Sequence, residues 1–230
     1  MNHRQLIARF KDPIGDTNGF ISDDNSWSDE YIVREWLSAR TEAVKAFLKA
    51  GETLSDQLVQ PLGCVEVVDK DRNECPCEIP SHCYWLKSKS QIPKYIRITS
   101  LTGIVVNGES PRFTYIKWDA IQYIIKHKIA SVRNGLYWTT RDIGDGRYLY
   151  LFGNRDLEKV AVGGIWEDPM EAAAYPSCGK VNENKLCNPL DTDIYTDENL
   201  VKIILEQMHN RLIPVKQTAP TDQGNNDNVK

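Results

Sequence analysis

The densest run of chemically capable side chains is Glu74-Cys75-Pro76-Cys77-Glu78, followed by His82-Cys83, with Cys64 eleven residues before Cys75. Thiolate and imidazole are the donors a tetrahedral zinc ion takes, so Cys75, Cys77, His82 and Cys83 are candidate ligands of a structural metal. Two features weigh against that reading. One residue between Cys75 and Cys77 is tighter than a zinc-knuckle spacing, and adjacent His82 and Cys83 rarely turn to a single ion. Thiols that staple or fill a long loop as small apolar groups are the preferred reading, and no metal or other cofactor is expected. Cys178 and Cys187 form a second, looser pair. Met1-Asn2-His3-Arg4-Gln5 leads into no long apolar stretch, so no secretory signal is expected. The six cysteines are therefore expected as thiols or metal ligands rather than disulfides.

Other chemistry finds less to work with. No Gly-x-Ser-x-Gly elbow occurs, and His3, His82, His127 and His209 accompany no nucleophile motif. His127 and His209 are expected to be solvated or partner-facing. Val162-Gly163-Gly164-Ile165 follows a strand pattern without opening a helix, so it is no phosphate loop. No paired-carboxylate motif stands out among 32 acidic residues. The chain is expected not to be an enzyme, with no catalytic residues.

The elements around these residues are readable. Residues 1–25 carry the breakers Asp12-Pro13, Asn18-Gly19 and Asp23-Asp24-Asn25 and are expected as an extended N-terminal arm. A helix over 28–50 follows, capped by Ser26 or Ser28, with Asp29 and Glu30 where the macrodipole favours negative charge. Ile32, Val33, Trp36, Leu37, Ala43, Val44, Phe47 and Leu48 make its apolar stripe. Arg34, Arg40, Lys45 and Lys49 share the helix, as an ordinary solvated face or as a surface for an acidic partner. A β core is expected over 58–166, including Val65–Val68, Tyr95–Thr99 and Phe113–Trp118. Asp119 is expected to cap a short helix through Ile121, Ile124 and Ile125. Asn134-Gly135 is a strong hairpin signal because both residues tolerate positive φ. It predicts an antiparallel meander of four strands, 129–133, 136–140, 147–152 and 157–162. Thr196 is expected to cap a final helix over 197–213, and 214–230 has the composition of a flexible tail.

The fold class is therefore α+β: an antiparallel β-meander or sandwich core flanked by an N-terminal and a C-terminal amphipathic helix, with extended terminal arms. With no internal repeat and no long linker, residues 26–213 are expected as a single domain. The 230 residues carry a formal charge of −4, with 41% hydrophobic and 26% charged residues, the mixture of a globular protein. A surface that lives on a phosphate backbone is usually basic, so sequence-independent nucleic-acid binding is disfavoured. No apolar run approaches the roughly 20 residues of a membrane span.

Four stretches carry a resemblance. They are Ser28–Arg40; Gln60-Pro61-Leu62-Gly63-Cys64 with the loop Glu74–Pro80; Tyr148–Phe152 with Val160–Pro169; and the final helix after Tyr195-Thr196-Asp197. Over roughly residues 25–213 the chain resembles the head–tail connector ring proteins of crAss-like and related Bacteroidetes tailed phages. That resemblance implies a role without a chemistry: a structural subunit of a twelvefold ring that extends the portal toward the tail. Its partners would be other copies of itself in a dodecameric ring, the portal protein and adjacent tail or ring proteins. Genomic DNA would pass through the lumen without sequence-specific binding, and no membrane is involved. The protein would reside in the virion at the portal vertex, and in host cytoplasm during assembly. Trp36, Arg40 and Phe47 of the first helix, with the terminal arm, are expected at a subunit interface, the core being the equal alternative for these residues. The alternatives are another tail or baseplate component and a zinc-stabilised intracellular binding module.

Overall fold

The computed structural model describes residues 1–18, 27–69, 85–105, 110–125, 135–144, 146–153, 156–175 and 189–212. The chain divides into two compact units, residues 1–55 with 196–230, and residues 56–195.

The first unit is helical. Helix α1 (His3–Asn18) opens on a reciprocal capping box: Gln5 N–H donates to Asn2 Oδ1 (2.9 Å), and Asn2 N–H donates to Gln5 Oε1 (3.1 Å). Leu6, Ile7 and Phe10 fall on one face and are buried. Over residues 3–18 this helix replaces the extended arm expected for residues 1–25; residues 19–25 lie outside the described residues. The cap and the apolar face favour helix, and Asp12-Pro13 does not stop it. Helix α2 (Asp29–Ala50) begins where expected, with Tyr31 N–H donating to Ser28 Oγ (3.2 Å). It ends at Gly51, whose φ of 77° lets its N–H fold back onto the Leu48 carbonyl. The last helix of this unit (Glu198–Leu212) buries Leu200, Val201, Ile204, Met208 and Leu212. Its cap is Asp197 rather than Thr196: Leu200 N–H donates to Asp197 Oδ1 at 2.8 Å. A carboxylate at that position also faces the positive end of the helix dipole.

The second unit is a seven-stranded sheet, giving an α+β protein as expected. Its strands are β1 (Gln60–Asp69), β2 (Trp85–Ser88), β3 (Tyr95–Gly103), β4 (Thr114–Tyr115), β5 (Tyr137–Ile143), β6 (Gly146–Phe152) and β7 (Lys159–Trp166), in the order β3-β7-β1-β2-β6-β5-β4. All pairings are antiparallel except β4 with β5. The sheet curls until its end strands approach. Arg112, just before β4, bridges to Thr102 of β3, with Phe113 N–H donating to the Leu101 carbonyl and Gly103 N–H to that of Pro111. The result is nearly a barrel. Two short helices decorate it, α3 (Ile121–Ile125) after a 3-10 turn at Trp118–Ala120, and α4 (Pro169–Ala173) capped by Asp168.

The expected order of strands is only partly present. β5 and β6 form the hairpin around Gly144. β6 does not continue to β7, however; it pairs with β2, and β7 lies between β1 and β3. The Asn134-Gly135 hairpin with 129–133 lies largely outside the described residues. The edge of β5 opposite β6 is taken at Tyr137–Trp138 by β4. Long β1 explains the rearrangement. Its residues Gln60–Glu66 pair with β7, and Val67–Asp69 pair with β2, so one strand joins the two halves of the sheet.

Period-two alternation fills the interior. Leu149 and Leu151 of β6, Trp138 of β5, Val65 and Val67 of β1, and Val160, Val162 and Trp166 of β7 all enter one core cluster. The glycines Gly163 and Gly164 sit inside β7, not in a phosphate loop. A Cβ on Gly163 would stand 2.6 Å from Ser100 Oγ, and one on Gly164 2.9 Å from the Arg97 carbonyl oxygen. They let β3 pack close against β7 at the bulges of β3.

Candidate assembly surfaces

The residues expected at an interface start from α2. Trp36 and Arg40 are 0% and 1% exposed. The Trp36 ring meets His3 edge-on, with ring centroids 6.2 Å apart, and the Arg40 guanidinium lies 6.0 Å from the Trp36 ring centre. Phe47 is half-buried, whereas Arg34, Lys45 and Lys49 are exposed. Only Phe47 of the three therefore presents surface in the isolated chain. His209, expected to be solvated or partner-facing, instead stacks on Phe10 (centroids 4.8 Å apart), and its Nε2 lies 3.0 Å from the Phe10 carbonyl oxygen. Lys11 pairs with Asp29 at 2.7 Å, and Arg211 reaches Glu35 and Glu42, each at 3.6 Å. These exposed pairs each contribute about 1 kcal/mol or less.

On the sheet, one surface was unread in the sequence. Tyr148, Tyr150 and Phe152 alternate with the core leucines and face outward with Trp85 and Tyr137. Trp118 and Ile121 cover them: Trp118 lies 5.7 Å from Trp85 and 5.2 Å from Tyr150, both edge-on. Arg141 stacks on Trp118 at 4.7 Å, and Lys87 on Tyr148 at 4.2 Å. Beyond this layer Tyr123 of α3 is 71% exposed.

The second surface is the seam of the near-barrel. Past the bridge at Thr102 and Arg112, β4 leaves β3 to pair with β5, and a cleft of about 510 Å³ opens between the two end strands. Ile98, Leu101, Phe113 and Trp138 line it as buried members of the core. Thr99, Arg112 and Tyr115 line its exposed part, Tyr115 being 53% exposed. Among the described residues no carboxylate lines it.

The perturbed titratable groups have structural causes. Two hydrogen bonds from Arg147, at 2.6 and 3.1 Å, hold the Asp142 carboxyl below its ordinary value and pin the β5–β6 hairpin. Lys89 does the same to Glu66 across the strands. Burial raises Tyr95, whose hydroxyl lies 2.6 Å from Thr140 Oγ1, and raises Glu171, where Asp168 adds like-charge repulsion. Burial pushes Tyr175 to about 12.

Cys75, Cys77, His82, Cys83, Cys178 and Cys187 lie outside the described residues. Cys64, on β1, is disulfide-bonded, which overturns the expectation of free thiols at that position. Among the described residues, no group of three His, Cys, Asp or Glu side chains could hold a metal, and no helix is long and apolar enough to cross a membrane.

A family model described as phage tail ring protein 2, of the crAss ring group, matches residues 11–229. No curated protein matches the chain.

Proposed function

The chain belongs to the phage tail ring protein 2 family, and from that membership we propose that it is one subunit of a dodecameric ring in the head–tail connector. In this reading the ring joins the portal to the tail and forms part of the channel for DNA. The role is structural and non-catalytic, and it needs no cofactor. A family match spanning almost the whole chain is the observation that carries it. Physical features support it. A closed cyclic ring uses head-to-tail contacts, so each subunit needs two unlike complementary faces. The sheet unit offers exposed Tyr123 beyond its covered aromatic layer, and an open seam at its end strands. The chain's charge of −4 repels phosphate, which suits a wall that DNA slides past. Half-buried Phe47 of α2, with exposed Lys45 and Lys49 two residues to either side in the sequence, is the proposed contact of the helical unit with an acidic partner. Trp36 and Arg40 would then support that contact from beneath.

The family's description places the ring in the tail, which favours a second reading: a ring set farther from the portal, among tail or baseplate proteins. Light scattering of the purified chain, alone and mixed with portal, separates the two, with electron-microscope class averages to read symmetry. Rings that bind portal with matching symmetry are expected. Rings that ignore portal and appear only on purified tails would move the subunit down the tail. A permanent monomer absent from virions would sink both, and elemental analysis for about one zinc per chain would then test the binding-module alternative.

A further inference from the structure

We propose that the seam cleft between β3 and β4 is a strand-docking site, filled by an extended segment of a neighbouring copy that brings a carboxylate to Arg112. The proposal rests on the self-association read above and names where it happens.

The local geometry already performs half of this docking. Over Leu101–Gly103 the outer edge of β3 is paired by the chain's own residues 111–113. Over Ile98–Ser100 no strand pairs with that edge among the described residues, because 111–113 lead away into β4. A bulge between Ile98 and Ser100 falls where the strands part, and a bulged strand bends. Among the described residues β4 is likewise paired on one side only, with β5. Two strand edges thus face each other across the cleft. Exposed strand edges are templates for another chain, and proteins normally cover them. A peptide entering edge-on gains main-chain hydrogen bonds for affinity and side-chain pockets for specificity.

The lining defines the occupant. Ile98, Leu101, Phe113 and Trp138 offer an apolar wall to alternate side chains of a strand. Arg112 is exposed at the rim, and it has no ion pair among the described residues. Among the described residues no carboxylate lines the cleft, and the proposed guest supplies one to Arg112. In a ring the molecule beside each subunit is another copy, and this chain carries 32 acidic residues against 28 basic ones. Its neighbour is a suitable donor, and the contact is head-to-tail: a slot on one subunit, a strand on the next.

A photo-crosslinking benzoylphenylalanine at position 115, in full-length chains mixed as equal parts ¹⁴N- and ¹⁵N-labelled protein, tests this under assembling conditions. Irradiated rings should yield mixed-isotope peptides joining position 115 to one extended segment of another copy. Arg112→Glu should raise the concentration needed for assembly about tenfold, and Arg112→Lys should leave it within about twofold, with thermal melting unchanged in both. Rings whose position 115 crosslinks nothing, or only its own copy, would overturn the docking site and leave self-association standing. A chain that stays monomeric at every concentration would overturn both.

Discussion

Tyr175 packs in the sheet core with its hydroxyl held neutral, its pKa pushed to about 12 by burial. An unfolded tyrosine ionises near pH 10. The group's folded pKa is the higher one, so its contribution is fully present below about pH 10 and is lost as pH rises toward 12. Stability is expected to fall across that window by an amount of order 2 kcal/mol from this side chain. Denaturant melts of Tyr175→Phe should show a correspondingly flatter alkaline decline; an unchanged slope would refute the assignment. Cys64 makes a second prediction at this scale. Its bond links β1 to one of five cysteines, all beyond the described residues. Cys64→Ser should cost about 2–4 kcal/mol, and reductant should destabilise the natural protein by a similar amount while leaving the variant unmoved. Non-reducing peptide mapping identifies the partner.

At the scale of elements, α2 was legible because every cue that sets it is local. Ser28, Asp29-Glu30 and Gly51 punctuate it, and the stripe from Ile32 to Val44 repeats at helical spacing. Ser28→Ala should lower stability by about 1 kcal/mol in thermal melts, since the Tyr31 N–H loses its acceptor. Helix α1 was not legible because Asp12-Pro13 reads as a break in the sequence, whereas in the fold the Asn2/Gln5 box and the Leu6–Phe10 face set the helix. Individual strands were visible in their alternation, but their neighbours were not. Pairing is settled by contacts far apart in sequence, and chain order misleads when a strand as long as β1 serves two partners. The seam could not be read either, because Ile98, Arg112 and Trp138 meet only after the sheet curls. In β7 the packing is tight enough to test directly. Gly164→Ala places a methyl against the Arg97 carbonyl, and it should cost about 1–3 kcal/mol in chemical denaturation. A neutral result would mean β3 yields more easily than its register implies.

For the molecule as a whole, charge and family point the same way. A subunit of net charge −4 offers little to a phosphate backbone, so duplex DNA should show no measurable retention at about 0.15 M salt, where screening also shortens electrostatic reach to about 8 Å. Micromolar binding in a fluorescence-anisotropy titration would contradict the proposed passive wall. A subunit in the proposed wall would also have to bear load. Because β1 gives Gln60–Glu66 to one neighbour and Val67–Asp69 to another, a pull along that strand strains both hydrogen-bond ladders in shear, where bonds resist together instead of unzipping in turn. The same strand that hides the sheet's order from the sequence is the one through which tension passes from one half of the unit to the other.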